Sequence, residues 1–477
     1  MKKISLIIVL LICCLLGLTA CGSKNAQNSN SGEDSETVNK EQPGAEEHNV
    51  EDGNADDSQN QEKLDLTVGD AYQQILSNCT REFIGGYLVD EAFLSWLTSV
   101  YGEKLIFSLA DVVAFGTMDS NLWYELTGNS IHVLWNMYCR ETGFQSYCLE
   151  RVYWKDCASE DKVVLDFIGD VNFAEDWSTI MYLDKQVDGL YDCLSSDVMQ
   201  ELNQADILLV NNEFVYSTGG TPVAGKDYTF RAHPDRAYLL EIMGTDIVSL
   251  ANNHAYDYGA EGLMDTIATL KEANIPYVGA GENLEEAMKP SYFIANGRKI
   301  AIVAATQIER SLNYTKEATE DTPGVLKTLN PDKFVTVIQE AEENADYVVV
   351  YVHWGTEQNP HFEGDQTALA DAYIAAGADA IIGGHTHCLQ GCEYRNGVPI
   401  IYSLGNFWFN SNKLDTGISQ LIINKDGTLD FRFIPCIQKK NETYMAEAEE
   451  KTRILDYMES ISSGVSIDEE GYIISIE

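Results

Sequence analysis

Lys162-Val163-Val164-Leu165-Asp166-Phe167-Ile168-Gly169-Asp170-Val171-Asn172 is a β-branched and aromatic run that stops at a Gly-Asp pair. A short run of this composition reads as a strand. The same grammar returns at 206–210, 246–250, 299–304, 347–352, 380–382 and 399–402. Between these runs, 260–273, 331–345 and 365–376 carry apolar residues at helical spacing. Strands alternating with helices of this length predict an α/β domain over 162–440 whose main sheet is covered on both faces. Toward the C-terminus, 418–423, Lys425-Asp426-Gly427 and 429–434 predict a hairpin on an Asp-Gly turn, and 441–477 is left as an extension.

Upstream of residue 162 the pattern differs. Leu88, Phe93, Leu94 and Leu97, then Ile131, Leu134, Trp135 and Tyr138, recur at helical spacing. Asp90 and Asn129 are candidate N-caps, and Gly102 and Gly143 candidate stops. A small helical domain over 66–156 is expected, with His132 in an apolar segment as a core histidine. No chemical motif lies in it.

The first residues are a targeting signal. Two lysines precede an apolar run from Ile4 to Leu18, ending at Leu18-Thr19-Ala20-Cys21. The run is shorter than the ~20 residues of a spanning helix and has no stop-transfer flank. Residues 1–20 are expected to be a lipoprotein signal peptide and Cys21 the lipidation site, by similarity to the bacterial lipobox. That would place the chain on the outer face of the cell membrane, held by lipid. From 21 to 65 the composition is Asn, Ser, Gly, Asp, Glu and Gln, an acidic linker with almost nothing to bury.

With 31 Lys and Arg against 75 Asp and Glu, the formal charge is −44. Such a field repels polyanions and argues against nucleic acid as a partner. An anionic substrate would need a local positive centre such as a bound metal. Of 11 cysteines, eight follow Cys21. In an exported chain they permit disulfides without requiring them, and Cys388 with Cys392 is either a local bridge or a reduced pair.

The chemistry lies where the strands end. The first ends in Asp170 and Asn172, the second in Asn211-Asn212-Glu213, the third in Asn252-Asn253-His254 with Asp257 behind. Later ones end in His353-Trp354-Gly355-Thr356-Glu357, Gly383-Gly384-His385-Thr386-His387 and Ser403-Leu404-Gly405-Asn406-Phe407. Ligands of open α/β sheets sit outside the carboxyl ends of strands. Asp, Glu, Asn and His are donors for Zn²⁺, Mn²⁺ or Fe. Of only eight histidines, four stand at these strand ends.

Taken in order with Phe230-Arg231-Ala232, Asp257-Tyr258-Gly259 and Gly279-Ala280-Gly281, this series resembles the CapA family of capsule-synthesis, or poly-γ-glutamate synthesis, proteins. The resemblance implies a fold like that of calcineurin-type metallophosphoesterases, a four-layer α/β/β/α sandwich, here preceded by the helical domain. It also implies one or two divalent ions (Mn, Zn or Fe) held by Asp170, Asn172, Glu213, Asn253, His353, His385 and His387. His254 matches the catalytic acid, oriented by Asp257, and Asn211, Arg231, Glu357 and Asn406 are assigned to substrate. Two departures stand out: Asn172 replaces a histidine, and Asn211 with Glu213 replaces a bridging aspartate.

Two functions follow as expectations. One is a surface lipoprotein acting in synthesis or export of a capsule-type anionic polymer, partnered by that polymer and by polymer-synthase subunits. The other is a two-metal hydrolase of the metallophosphoesterase type acting on an envelope polymer.

Overall fold

The computed structural model describes residues 66–310 and 312–476. The expected signal peptide, lipidation site and linker, residues 1–65, lie outside the described residues. Among the described residues, no helix is long and apolar enough to cross a membrane.

The strand quoted first, Lys162–Val171, lies inside an eight-stranded sheet. It pairs in parallel with Ile207–Asn212, which pairs in parallel with Ile247–Ser249. On its other side runs the C-terminal hairpin, Leu414–Asn424 against Leu429–Lys439, closed at Asp426-Gly427. A seven-stranded sheet contains Arg298–Thr306, Tyr347–His353, Ala380–Gly384 and Val398–Leu404, all in parallel register.

Three apolar clusters define the layers. Val163, Leu165 and Phe167 of the larger sheet meet Ile300, Ile302, Val349 and Ile382 of the smaller one. The outer face of the larger sheet is covered by helices that include Ser196–Gln204 and Gly259–Glu272, which bury Val198, Leu202, Leu263 and Ile267. The outer face of the smaller sheet is covered by Asp332–Asn344 and Gly364–Ala375, through Phe334, Ile338 and Tyr373. Helix, sheet, sheet, helix is the four-layer α/β/β/α arrangement, and both sheets are apolar on both faces because each is covered twice.

The region before the sandwich consists of α1 (Val68–Asn78), α2 (Glu91–Tyr101), α3 (Glu103–Phe115), α4 (Leu122–Thr127) and α5 (Ile131–Thr142) around an aromatic core of Phe93, Trp123, Trp135 and Tyr138. Asp90 caps α2 by accepting from the Phe93 N–H, and Gly102 and Gly143 end α2 and α5. The cap of α5 is Ser130, not Asn129: Ser130 Oγ accepts from Val133 N–H, while the Asn129 amide donates to Tyr101 Oη and Thr127 O. His132 is half-buried, and its Nδ1 accepts from Tyr87 Oη at 2.9 Å.

These helices are fastened to the sandwich within one compact unit. Ser130 Oγ donates to Asp346 at 2.6 Å, and Arg298 lies 3.7 Å over the Tyr124 ring. Val152–Lys155, grouped by sequence with the helical region, instead adds a strand to the seven-stranded sheet beside Ser291–Ala295. Nor is 441–477 an appendage. Glu442–Met445 extends the larger sheet, and Ala448–Ser460 buries Ile454, Leu455 and Met458 in the intersheet core. All eight cysteines in the described residues are free thiols, Cys388 and Cys392 included.

Candidate metal centre

Strand geometry brings the polar strand ends together. Between Phe167 and Asp170 the register against Ile207–Asn212 shifts, so two residues oppose one. A bulge of this kind re-aims the side chain that follows it. Asp170 thereby lies on the same side of the strand as Phe167, facing the second sheet, instead of among the outer helices. Gly169 permits it: a Cβ there would stand 2.0 Å from Gly405 O, whose carbonyl accepts from Asp170 N–H. In the facing sheet, Tyr347, Val349, Tyr351 and His353 alternate onto the intersheet side, so His353 arrives opposite Asp170. His385 and His387 follow the next strand at φ values of 95° and 56°. Non-glycine residues seldom adopt such φ values, and strain of about 1–3 kcal/mol per residue persists at functional sites because the surroundings enforce it.

The buried side chains are held by Asn211. Its Nδ2 donates to Asp170 Oδ1 at 2.7 Å and to Glu213 Oε2 at 3.3 Å. Its Oδ1 accepts from Asn252 at 3.1 Å, which fixes the amide's orientation. One oxygen of each carboxylate is thus occupied. The others, Asp170 Oδ2 and Glu213 Oε1, are buried without a hydrogen-bond partner, although His387 Nδ1 lies 3.2 Å from Asp170 Oδ2. Nearby, His353 Nε2 stands 2.7 Å from Asn253 Oδ1, 3.1 Å from His385 Nδ1 and 3.6 Å from Glu213 Oε1. One imidazole proton cannot serve three acceptors at once.

Converging lone pairs with too few protons fit a cation. Two trios have ligand atoms mutually within 4.8 Å: Glu213, His353 and His385, and Asp170, Glu213 and His387. Glu213 belongs to both, so one carboxylate stands where two ions would share it. The donor set of carboxylate, imidazole and amide oxygen suits Zn²⁺, Mn²⁺ or Fe.

Electrostatics agree with the geometry. Burial, reinforced by Asp170, pushes the Glu213 carboxyl well above its usual range. Burial, with the other histidines adding to it, holds His353 and His385 well below theirs, which keeps the imidazoles neutral. Burial also opposes the charge on His387, but its bond and proximity to Asp170 outweigh that and raise it.

At the edge, His254 Nδ1 donates to Asp257 Oδ2 at 2.7 Å, leaving Nε2 facing Glu213 Oε1 at 4.0 Å. Asp257 is fixed from three sides, since Phe230 N–H also donates to Oδ2 and Lys226 Nζ donates to Oδ1 at 2.6 Å. Burial, helped by the Lys226 charge, lowers His254 against the pull of Asp257.

Lys226 is a residue that sequence reasoning missed. It is buried, bonds Asp257 and the Asn253 carbonyl, and lies 3.8 Å from Glu309. Its only signal in the sequence is scarcity, a cation in a loop of a strongly acidic chain. Tyr351, within the 347–352 strand run, has a buried Oη without a partner that lies near Asp170 and Glu213.

Three of the assigned residues have other partners. Asn172 Oδ1 accepts from Ala174 N–H at 2.8 Å, so one of its two lone pairs is engaged by the backbone. Asn211 is fully buried among the carboxylates, positioning them and out of a substrate's reach. Asn406 Oδ1 lies 2.7 Å from His387 Nδ1 and orients that ring. Arg231 and Glu357 lie outside the buried cluster. Arg231 lies 4.3 Å over the Tyr258 ring and lines a cleft of about 480 Å³ with Trp177, Tyr228 and Phe230, whose ring is 4.5 Å from that of His254. Glu357 is exposed.

Two sheets sandwiched by helices, with carboxylates and histidines converging from the strand ends, define a four-layer α/β/β/α protein with a candidate metal centre. Residues 164–411 match the family model described as "Bacterial capsule synthesis protein PGA_cap", and the chain belongs to this family. It is 38% identical over 216 residues to "PGA biosynthesis protein CapA" of Bacillus subtilis, covering 44% of this chain and 56% of that one. It is 36% identical over 240 residues to "Capsule biosynthesis protein CapA" of Bacillus anthracis, covering 48% and 57%. The chain therefore spans little more than half the length of these curated relatives. A 5'-nucleotidase from Candida albicans shares only a slight likeness, with a TM-score of 0.33 at 10% identity over 59% of this chain and 52% of that one.

Proposed function

We propose that this chain acts at the outer face of the cell membrane, anchored by lipid at Cys21, in the synthesis or export of a capsule-type anionic polymer such as poly-γ-glutamate. The observation that carries the reading is the family match over 164–411, which spans every strand end of the metal centre. The names of the Bacillus relatives point the same way. Polymer-synthase subunits are the partners this role calls for. A net charge of −44 repels a polyanion, so contact with the polymer would fall to the local positive centre and to Arg231 at the cleft. Deleting the gene should reduce surface polymer, with the wild-type chain restoring it and Cys21→Ser, released from membranes, failing to. Unchanged polymer in the deletion strain would overturn the reading.

A second reading, hydrolysis of an ester or amide in that polymer, is favoured by the His254–Asp257 pair beside Glu213. Asp170, Glu213 and His387 would hold one ion and Glu213, Asn253, His353 and His385 the other. Divalent ions there would polarise the scissile group and offset developing charge. The protein's own contribution is orientation. Asp257 fixes the His254 proton at Nδ1 and directs the Nε2 lone pair inward, where it can take a proton from an attacking water and then, as an imidazolium steadied by Asp257, pass that proton to the leaving group. Phe230, packed on His254, limits water at that nitrogen. Assays on γ-glutamyl and phosphodiester substrates test it: turnover that His254→Ala lowers by about 10²–10⁴ supports hydrolysis, and no turnover by metal-loaded protein removes it.

A further inference from the structure

Away from the metal centre, a cleft of about 530 Å³ lies between the helical region and the seven-stranded sheet. Its walls come from α5 (Trp135, Asn136), from Cys148 beyond it, and from Tyr292 and Lys299 of two neighbouring strands. The volume is that of a small-molecule site. Its polar groups are unusual in what they lack. Lys299 is 4% exposed, and among the described residues its Nζ has neither a hydrogen-bond acceptor nor a carboxylate in reach, only the face of the Tyr292 ring at 4.4 Å. Trp135 Nε1 and Asn136 Oδ1 are buried and equally without partners. The Asn136 amide orientation is fixed, because its Nδ2 donates to Cys148 O at 2.9 Å.

Among the described residues no carboxylate bonds the Lys299 ammonium. Asp346 lies close, but its Oδ2 is taken by Ser130 Oγ and by the Lys299 backbone N–H, each at 2.6 Å. The rim lysine, Lys289, is already matched by Glu150 at 3.3 Å and Glu285 at 3.5 Å. Burial pulls the Lys299 ammonium down to about 8 against the opposing pull of Asp346. The indole N–H and the amide oxygen cost free energy when buried without partners, the Lys299 ammonium has only an aromatic face in reach, and a ligand that satisfies all three would recover that cost.

We propose that this cleft is a second ligand site, for a small carboxylate with an adjacent amide N–H, such as an N-acylated amino acid or the free C-terminal residue of a peptide. The carboxylate accepts from Lys299 Nζ and Trp135 Nε1, and the N–H donates to Asn136 Oδ1. Tyr87, stacked on Trp135 at 4.9 Å, and Tyr292 cover the ligand's apolar part. The helical region thus supplies half of a binding site.

Calorimetric titration of the full chain with N-acetylglycine and with N-acetylglycinamide, at matched ionic strength, tests this. Saturable binding is expected for the first and at least 10-fold weaker binding for the second, which has no carboxylate. Lys299→Met should lose N-acetylglycine by at least 10-fold without a lower thermal midpoint, since it removes an unpaired buried charge. Trp135→Phe keeps the ring, drops the N–H donor and should weaken binding severalfold, so the test stands even if the lysine variant does not fold. His385→Ala should bind as the parent does, which separates this cleft from the metal centre. No saturable binding by the parent, or binding by Lys299→Met or His385→Ala that contradicts these expectations, overturns the proposal.

Discussion

Asp166 sits in the middle of the strand Lys162–Val171, fully buried in a chain that already carries a charge of −44. Its Oδ1 accepts from Gln420 Nε2 at 2.9 Å, and its Oδ2 has no partner. Burial raises its pKa to about 8, with the Gln420 bond opposing. The unfolded value is about 3.9. Below pH 4 both states hold the proton and nothing is lost. Between pH 4 and pH 8 the unfolded chain releases it while the fold retains it, so stability falls by about 1.4 kcal/mol per pH unit. By pH 7 the loss is on the order of 4 kcal/mol. Asp166→Asn removes this dependence but buries an amide N–H₂ where Oδ2 stood, at a cost of about 1–3 kcal/mol if it finds no acceptor. The variant should therefore be more stable than the parent by about 1–3 kcal/mol at pH 7 and equal or less stable near pH 4.5. Urea denaturation at both pH values measures it. A difference between variant and parent that does not grow with pH would refute the argument.

Other expectations are narrower. His132→Ala, by removing the Tyr87 contact, should cost about 1–2 kcal/mol of stability and leave metal content unchanged, checked by denaturation and elemental analysis. Gly384→Ala places a methyl 2.6 Å from Tyr351 Oη and 3.3 Å from Asp170 Oδ1, so it should lower metal occupancy with the helical content preserved by circular dichroism. Lys226→Met removes a charge that depresses His254, so the His254 imidazole should titrate at higher pH in an NMR titration. A value unchanged from the parent would show that the lysine serves structure alone.

Much of this was legible in the sequence because the two sheets are covered on both faces. Their strands are near-continuous apolar runs, and their polar ends stand out against them. The capping of α2 by Asp90 and the Asp-Gly hairpin were readable for the same local reason. What escaped depends on contacts distant in sequence. The bulge that turns Asp170 inward is invisible until Ile207–Asn212 is placed beside it. The sharing of Glu213 between two trios depends on Asn211, whose hydrogen bonds span 41 residues to Asp170. Asn172 reads as a ligand by type, and only the structure shows that its oxygen also accepts from Ala174 N–H. Ser130 replaced Asn129 as the cap because Asn129 is drawn to Tyr101. Lys226 lies in a loop with no pattern of its own and acquires a role only from Asp257 and Asn253.

Asp170, Glu213, Asn253, His353, His385 and His387 are the proposed metal centre. Elemental analysis of the purified protein after dialysis against Zn²⁺ and Mn²⁺, beside His385→Ala, tests it most directly. One or two ions per chain are expected in the parent, and a reduced content in the variant with its fold intact. A parent that holds no metal under these conditions, or a variant that holds as much as the parent, would contradict it.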